Sequence, residues 1–294
     1  MSRHLPSLLL VALALTACGE SAAPLAVPAD PLPAATAKSL VRAHAHNDYE
    51  HEQPLLDALE QGFTSVEADV YTLPLPGLGA VAGLYVAHDP QDIQPDRTLA
   101  ALYLDPLQAR AEANGGCIQP DCAPFYLLID AKTEAESTWS AIETELAKYG
   151  ALFSHYQNGA VLPGAVTAIL SGNRPKASML AATSRYCFYD GRFADLDGSD
   201  PASFMPLISD NWTTEFGWDG NGEMPPEQRA KLHQSIATAH AKGQRIRLWE
   251  TPDSAGAARD RVWTELLAAD QDHINTDDLA GLRAFLLAHD PSQR

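Results

Sequence analysis

The sequence predicts an α/β fold: a single (β/α)8 TIM-barrel-like domain. Three observations predict it. Short apolar runs alternate with helix-length stretches from residue 40 to the end of the 294-residue chain. Several of those runs end in acids, histidines or amides, the residues that a parallel barrel gathers at the C-terminal ends of its strands. No Gly-rich phosphate loop follows the first run, although an open doubly wound sheet would normally carry one.

Taken in order, the apolar runs place strands at 40–45, 64–70, 83–87, 125–129, 165–170, 186–189, 205–209, 245–249 and 273–275. Between them the sequence predicts helices at 54–61, 98–114, 133–149, 225–242, 257–269 and 279–289. Gly62 stops the first of these, and Gly150 and Gly243 follow two others. Composition is that of a globular protein, 46% hydrophobic. The formal charge of −18 argues against nucleic acid and against electrostatic docking on anionic lipid.

The first 38 residues read differently. Arg3 and His4 precede an apolar run, 8–15, that is too short to span a bilayer. It ends in Leu15-Thr16-Ala17-Cys18, which resembles a bacterial lipoprotein signal. Residues 1–18 are therefore expected to be a signal peptide with Cys18 as the lipidation site, and 19–38 an Ala/Pro-rich tether. Residues 39–294 would be the catalytic domain. The expected location is the bacterial outer membrane, facing the periplasm or cell surface, with the lipid as the sole membrane contact. In that oxidising setting Cys117 and Cys122, on either side of a Pro-containing loop, are expected to form a local disulfide. Cys187 sits in an apolar run and reads as a buried thiol.

The chemistry is concentrated between residues 43 and 132. The first strand leads into His46-Asn47-Asp48-Tyr49, the second carries Glu67 and Asp69, and the third runs into His88-Asp89. The fourth ends in Asp130 with Lys132 beyond it. Glu67 and Asp69 are two apart, so on a strand they share a face, and two carboxylates there repel unless a cation joins them. Oxygen ligands favour a hard divalent ion, Mg²⁺ or Ca²⁺, over zinc.

The order His-Asn, Glu-x-Asp, His-Asp resembles the phospholipase C-like phosphodiesterase superfamily, which includes glycerophosphodiester phosphodiesterases and phosphatidylinositol-specific phospholipases C. The resemblance implies His46 and His88 as the acid–base pair and Asn47, Glu67, Asp69 and Asp130 as metal ligands. It makes Lys132 a phosphate contact and Trp249 a wall of the pocket, with Arg247 on the same face of its strand. The implied substrate is a small or lipid phosphodiester, the implied enzyme a phosphoric diester hydrolase or cyclising lyase, and the expected assembly a monomer. The strict glycerophosphodiesterase pattern, His-Arg-Gly, is absent. Further strand ends, Ser171 to Arg174, Tyr189 to Arg192 and Ser209 to Trp212, are candidates for contacting a phosphate or head group.

Two other classes fit part of the pattern. A catalytically silent lipoprotein could use the same barrel to bind a ligand. His44-x-His46 also matches the first metal signature of amidohydrolase barrels, but the later histidines, His155, His233, His240 and His273, do not complete that set. His44 then reads as a core histidine or as a neighbour behind the metal ligands.

Overall fold

Parallel strands buried on both faces need apolar residues at nearly every position, and the second strand shows it: Phe63–Thr72 is buried from Phe63 through Tyr71. In the computed structural model residues 38–72 and 83–293 are described, and they lie in one compact unit. The strands are β1 (Leu40–Ala45), β2 (Phe63–Thr72), β3 (Leu84–Val86), β4 (Phe125–Ala131), β5 (His155–Gln157), β6 (Ala160–Leu162), β7 (Val166–Gly172), β8 (Ser184–Arg185), β9 (Cys187–Gly191), β10 (Leu207–Asn211), β11 (Arg245–Trp249) and β12 (His273–Thr276). The helices are α1 (Leu56–Glu60), α2 (Asp105–Ala113), α3 (Ala135–Leu146), α4 (Lys176–Ala181), α5 (Trp212–Glu215), α6 (Pro226–Ala241), α7 (Ala257–Ala268) and α8 (Leu279–His289).

The sheet order β1-β12-β11-β10-β9-β7-β4-β2, with β1 also paired to β2, closes on itself. Every one of those pairings is parallel. This is the eight-stranded (β/α)8 barrel that the sequence predicts. Its outer shell buries Val66, Ala68, Val70 and Leu127 against the helices. Inside, Leu128, Ile169, Phe188 and Leu207 form a separate apolar plug beneath the C-terminal mouth. The barrel interior is thus a packed core there rather than a pore.

Three expectations need correction. The run at 83–87 is not a barrel strand: β3 pairs antiparallel with the end of β2, with Val70 opposite Val86 and Thr72 opposite Leu84. Nor is 98–114 one α-helix. Residues Ala100–Leu104 form a wider π-type turn before α2 begins at Asp105. Pro106 has no N–H to give the carbonyl four residues back, and the local ladder is re-spaced there. The reading of the sequence also passes over a three-stranded sheet, β6-β5-β8. Its hairpin turns at Asn158 and Gly159, both with positive φ, 48° and 93°; Asn-Gly is a strong short-range hairpin signal.

Cys117 and Cys122 are paired as a disulfide in the loop before β4. Cys187 is buried, and its thiol donates to the Glu143 carboxylate at 3.0 Å. No helix among the described residues is long and apolar enough to cross a membrane. The signal, Cys18 and all of the tether but Lys38 lie outside the described residues.

One glycine ties the fold to the site. Gly172, at the end of β7, has φ of +65°, and a Cβ there would stand 2.4 Å from Asp130 Oδ1 and 2.6 Å from the Ala131 carbonyl. Gly172→Ala should therefore destabilise by about 1–3 kcal/mol, read as a lower midpoint in thermal unfolding. It should also displace the Asp130 carboxylate, whereas Gly222→Ala, with φ of +73° but open space around it, should cost stability alone.

Candidate active site

The barrel brings together residues that are far apart in sequence. Asp69 pairs in register with Asp130, and Asp130 with Ser171, so three adjacent strands carry one polar row at the C-terminal mouth. Alternation puts Glu67 on the same inward face one step deeper. A cavity of about 300 Å³ opens there. It is lined by His46, Asn47, Glu67, Asp69, His88, Asp130, Lys132, Arg247 and Trp249, with Ser171, Arg192 and Glu250. His46, His88, Asn47, Glu67, Asp69, Asp130, Lys132, Arg247 and Trp249 thus reach one cavity, while of the further strand-end candidates Ser171 and Arg192 line it and Arg174, Tyr189, Ser209 and Trp212 do not.

Ligand oxygens of Glu67, Asp69 and Asp130 lie within 4.8 Å of one another. Two cations hold this cluster together. Lys132 Nζ bridges Asp69 Oδ2 at 2.9 Å and Asp130 Oδ1 at 3.0 Å. Arg247 Nη2 meets Glu67 Oε2 at 2.5 Å, and its Nε donates to Asn275 Oδ1 at 2.9 Å. Repulsion between the acids is therefore relieved partly by side chains from β11 and from just beyond β4, which the sequence alone does not place between them. Burial would raise Glu67, but the Arg247 guanidinium and His44 outweigh it and hold the carboxyl well below its ordinary range. Asp69 moves the other way, to about 6: burial drives it up, Glu67 and Asp130 add to this, and Lys132 opposes it. An all-oxygen set of three ionisable carboxylates fits a hard divalent cation. Asn47, which lines the same cavity, could add a neutral amide oxygen.

The two histidines are fixed differently. His46 Nδ1 lies 2.8 Å from Asp277 Oδ1. Burial lowers the ring's pKa, but the Asp277 hydrogen bond and the Glu67 charge together raise it above the ordinary 6.5. His88 follows the antiparallel β3 rather than a barrel strand, and its backbone is brought to the mouth where the Ala87 N–H bonds the Asp69 carbonyl at 3.3 Å. Its side chain is 57% exposed. Tyr49 Oη donates to Asp69 Oδ2 at 2.8 Å and lies 3.1 Å from His88 Nδ1. Since the one hydroxyl proton is given to the carboxylate, the tyrosine oxygen accepts from His88 Nδ1–H. In the neutral ring Nε2 is then left as the acceptor.

Residues around this centre hold it in place. Asn47 takes a left-handed conformation, φ 42°, and turns the chain sharply after His46. Asp48 is buried beneath the turn, where it accepts from the Leu55 N–H at 2.6 Å and the Tyr103 hydroxyl at 2.9 Å. His44 is fully buried, with Nδ1 2.7 Å from Ser65 Oγ and Nε2 3.5 Å from Glu67 Oε2. Burial, aided by Arg247, brings its pKa down to about 3, so it is neutral and a neighbour of Glu67. It does not line the cavity with His46, so the pair does not face a common ligand as the amidohydrolase pattern would need. Asp89 stands at the start of a turn at Pro90–Asp92 and is exposed. Tyr49 and Asp277 are contacts that the sequence reading did not assign; Tyr49 stands within the quoted His46 motif and Asp277 directly after β12.

This barrel, with carboxylates and histidines gathered at its mouth, agrees with the phosphodiesterase resemblance read from the sequence. More narrowly, residues 36–190 match the AIM6-like phosphodiesterase domain, and the chain belongs to that family. Similar proteins include the altered inheritance of mitochondria protein 6 homolog of Arthroderma benhamiae, 28% identical over 83% of both chains. The altered inheritance of mitochondria protein 6 of Eremothecium gossypii is 27% identical over 84% of this chain and 69% of its own. A solved glycerophosphoryl diester phosphodiesterase from Parabacteroides distasonis is similar at TM-score 0.48 and 11% identity, over 87% of this chain and 89% of that one. The two fungal relatives are named for mitochondrial inheritance. They overturn the expected placement on a bacterial outer membrane, which rested on the first 18 residues alone.

If the three carboxylates take a divalent ion, Mg²⁺ or Ca²⁺ should raise the unfolding temperature. At a hundredfold excess over Kd the gain is about 2.7 kcal/mol, or roughly 5–10 °C for a domain of this size. Glu67→Gln and Asp69→Asn should abolish the ion-induced rise in a thermal melt; an undiminished rise in both would place the ion elsewhere.

Proposed function

We propose that the protein is a metal-dependent phosphodiesterase that cleaves a small or lipid phosphodiester, with His46 and His88 as its acid and base. The observation that carries this reading is the convergence on one cavity of Glu67, Asp69 and Asp130 with two histidines, one paired at Nδ1 to a carboxylate and the other to a neutral hydroxyl. Glu67, Asp69 and Asp130, with Asn47, would hold a divalent cation, which when bound supplies positive charge to the phosphate oxygens as the transition state develops.

The chain's own groups do the rest. Lys132 and Arg247 add fixed positive charge beside the carboxylates, Lys132 directly toward the phosphate. Trp249 walls the alcohol side. His88 Nε2, free because Nδ1–H is spent on Tyr49, takes the proton from the attacking hydroxyl of water or of the substrate. That oxygen bonds to phosphorus as the ester oxygen leaves. His46, whose imidazolium form the Asp277 carboxylate favours, protonates the departing alkoxide. The description of the family that the chain matches, a phosphodiesterase domain, supports the reaction class. Their names say nothing of a substrate.

Hydrolysis of a phosphodiester panel followed by phosphorus NMR tests the reading, and it separates a released cyclic phosphate from a fully hydrolysed product. His46→Ala and His88→Ala should each lower turnover about 10²–10⁴-fold. A nitrophenyl leaving group needs no proton, so it should largely rescue His46→Ala and leave His88→Ala impaired. Asp277→Asn should shift the alkaline limb of the pH profile to lower pH, because the imidazolium loses the partner that raises its pKa. An alkaline limb unmoved by Asp277→Asn would take the acid role from His46.

A further inference from the structure

Beside the mouth lies a second cavity, of about 320 Å³, that the chemistry above does not use. It lies between α5 with the loop after it, which bring Trp212, Phe216, Trp218 and Asp219, and the loop leaving β11, which brings Glu250 and Thr251. Glu250 lines both cavities, while its neighbours diverge, Trp249 to the mouth and Thr251 to the second space. The chain turns between them in a left-handed conformation, φ 58° at Glu250, which a residue with a Cβ adopts only at a cost.

The three rings are nearly buried and are fixed by their own packing. Trp212 stacks on Phe216 with 4.6 Å between centroids and lies 6.4 Å from Trp218. Both indole N–H groups are spent: Trp212 Nε1 donates to the Trp218 carbonyl at 2.8 Å and Trp218 Nε1 to the Asn221 carbonyl at 3.2 Å. The rings therefore offer the cavity π density but no strong donor. Lys231 Nζ stands 5.2 Å from the Phe216 centroid, so this ring already takes a cation, one whose charge Glu215 matches at 2.6 Å.

The charge lining the cavity is of one sign. Asp219 and Glu250 are exposed, and among the described residues no Lys, Arg or His lines the space with them. Asn221 donates to Asp219 from its backbone N–H at 3.0 Å and from Nδ2 at 2.9 Å, which holds that carboxyl below its ordinary range. Thr251 is buried, and its Oγ1 has no hydrogen-bond partner; a buried hydroxyl is costly until something completes it.

These walls repel an anion and give a neutral molecule little advantage. They suit a cation that carries carbon around its charge. We infer that this second cavity is a binding site for a small alkylammonium ion, with Trp212, Phe216 and Trp218 against its alkyl groups, Asp219 and Glu250 facing its charge, and Thr251 Oγ1 accepting from its N–H. The site is separate from the mouth cavity and rests on no reading of the reaction there.

Isothermal titration at fixed ionic strength with trimethylammonium, tetramethylammonium and tert-butanol tests this. The first has methyl groups, a charge and one N–H; the second lacks the N–H and the third the charge. Wild type should bind trimethylammonium about tenfold or more tighter than tert-butanol, the range of a desolvated cation on aromatic rings. Asp219→Asn and Glu250→Gln should each weaken trimethylammonium by about two- to fivefold and leave tert-butanol unchanged. Thr251→Val, similar in shape but without the hydroxyl, should close the gap between trimethylammonium and tetramethylammonium. Trp218→Leu should bring the preference over tert-butanol toward one, with a thermal melt to show that the variant folds; if it does not fold, the carboxylate and Thr251 variants decide alone. Asp69→Asn, at the mouth, should change none of these affinities. The inference is overturned by no binding in wild type, by tert-butanol binding as tightly as trimethylammonium, by an unaltered gap in Thr251→Val, or by undiminished binding when Asp219→Asn and Glu250→Gln are combined. Loss of binding in Asp69→Asn would overturn it too, by putting the ion among the mouth carboxylates. None of these outcomes bears on the phosphodiesterase reading, which the phosphodiester panel decides.

Discussion

Three carboxylates crowded into one cavity mouth are the constraint on which the rest of this structure depends. Glu67, Asp69 and Asp130 would drive one another neutral if they stood alone in a buried site. Lys132 and Arg247 prevent that, each in contact with a different part of the cluster. The consequences differ along it. Glu67, facing Arg247 and the neutral His44, is firmly ionised, while Asp69, with two acidic neighbours and one shared lysine, is held near 6. The cluster is thus arranged to be completed by further positive charge on its Asp69–Asp130 side. This is also the side where Tyr49 ties Asp69 to His88.

The barrel was legible because its strands are short apolar runs separated by helix-length segments, and because Leu40–Ala45, Arg245–Trp249 and Leu279–His289 begin and end where their hydrophobic periods do. The convergence of His46, Glu67, Asp69, Asp130 and Lys132 followed from strand alternation plus the rule that sites lie at C-terminal strand ends. What remained hidden depends on long-range closure. Arg247 and Glu67 are 180 residues apart, and Asp277 meets His46 across 231; no local pattern announces either pair. β3 was misplaced for a related reason. A three-residue apolar run, Leu84–Val86, looks the same whether it enters a barrel in parallel or folds back as a hairpin.

Asp48 shows how a motif can mix chemistry with architecture. It sits between Asn47 and Tyr49, yet its carboxylate points away from the cavity and fastens Leu55 and Tyr103. Burial lifts its pKa to about 7, so the turn that delivers His46 and Tyr49 rests on a group poorly suited to being charged. Read as one string, His46-Asn47-Asp48-Tyr49 suggests a run of ligands. In the fold it is one cavity imidazole, one cavity amide, one anchor and one hydroxyl clamp.

The hairpin made by β2 and β3 divides the site mechanically. His46 and the carboxylates belong to the barrel wall, where every strand is braced by two neighbours. His88 is carried by a three-residue strand outside the barrel, paired with the end of β2 and bridged to Thr98, and stands more than half exposed. On the proposed reading, binding and proton transfer would therefore reside on separable parts. Substitutions at the exposed end of the hairpin would silence proton transfer and leave the carboxylate cluster in place, and so a descendant of this chain could become a pure sensor of its ligand without rebuilding the barrel.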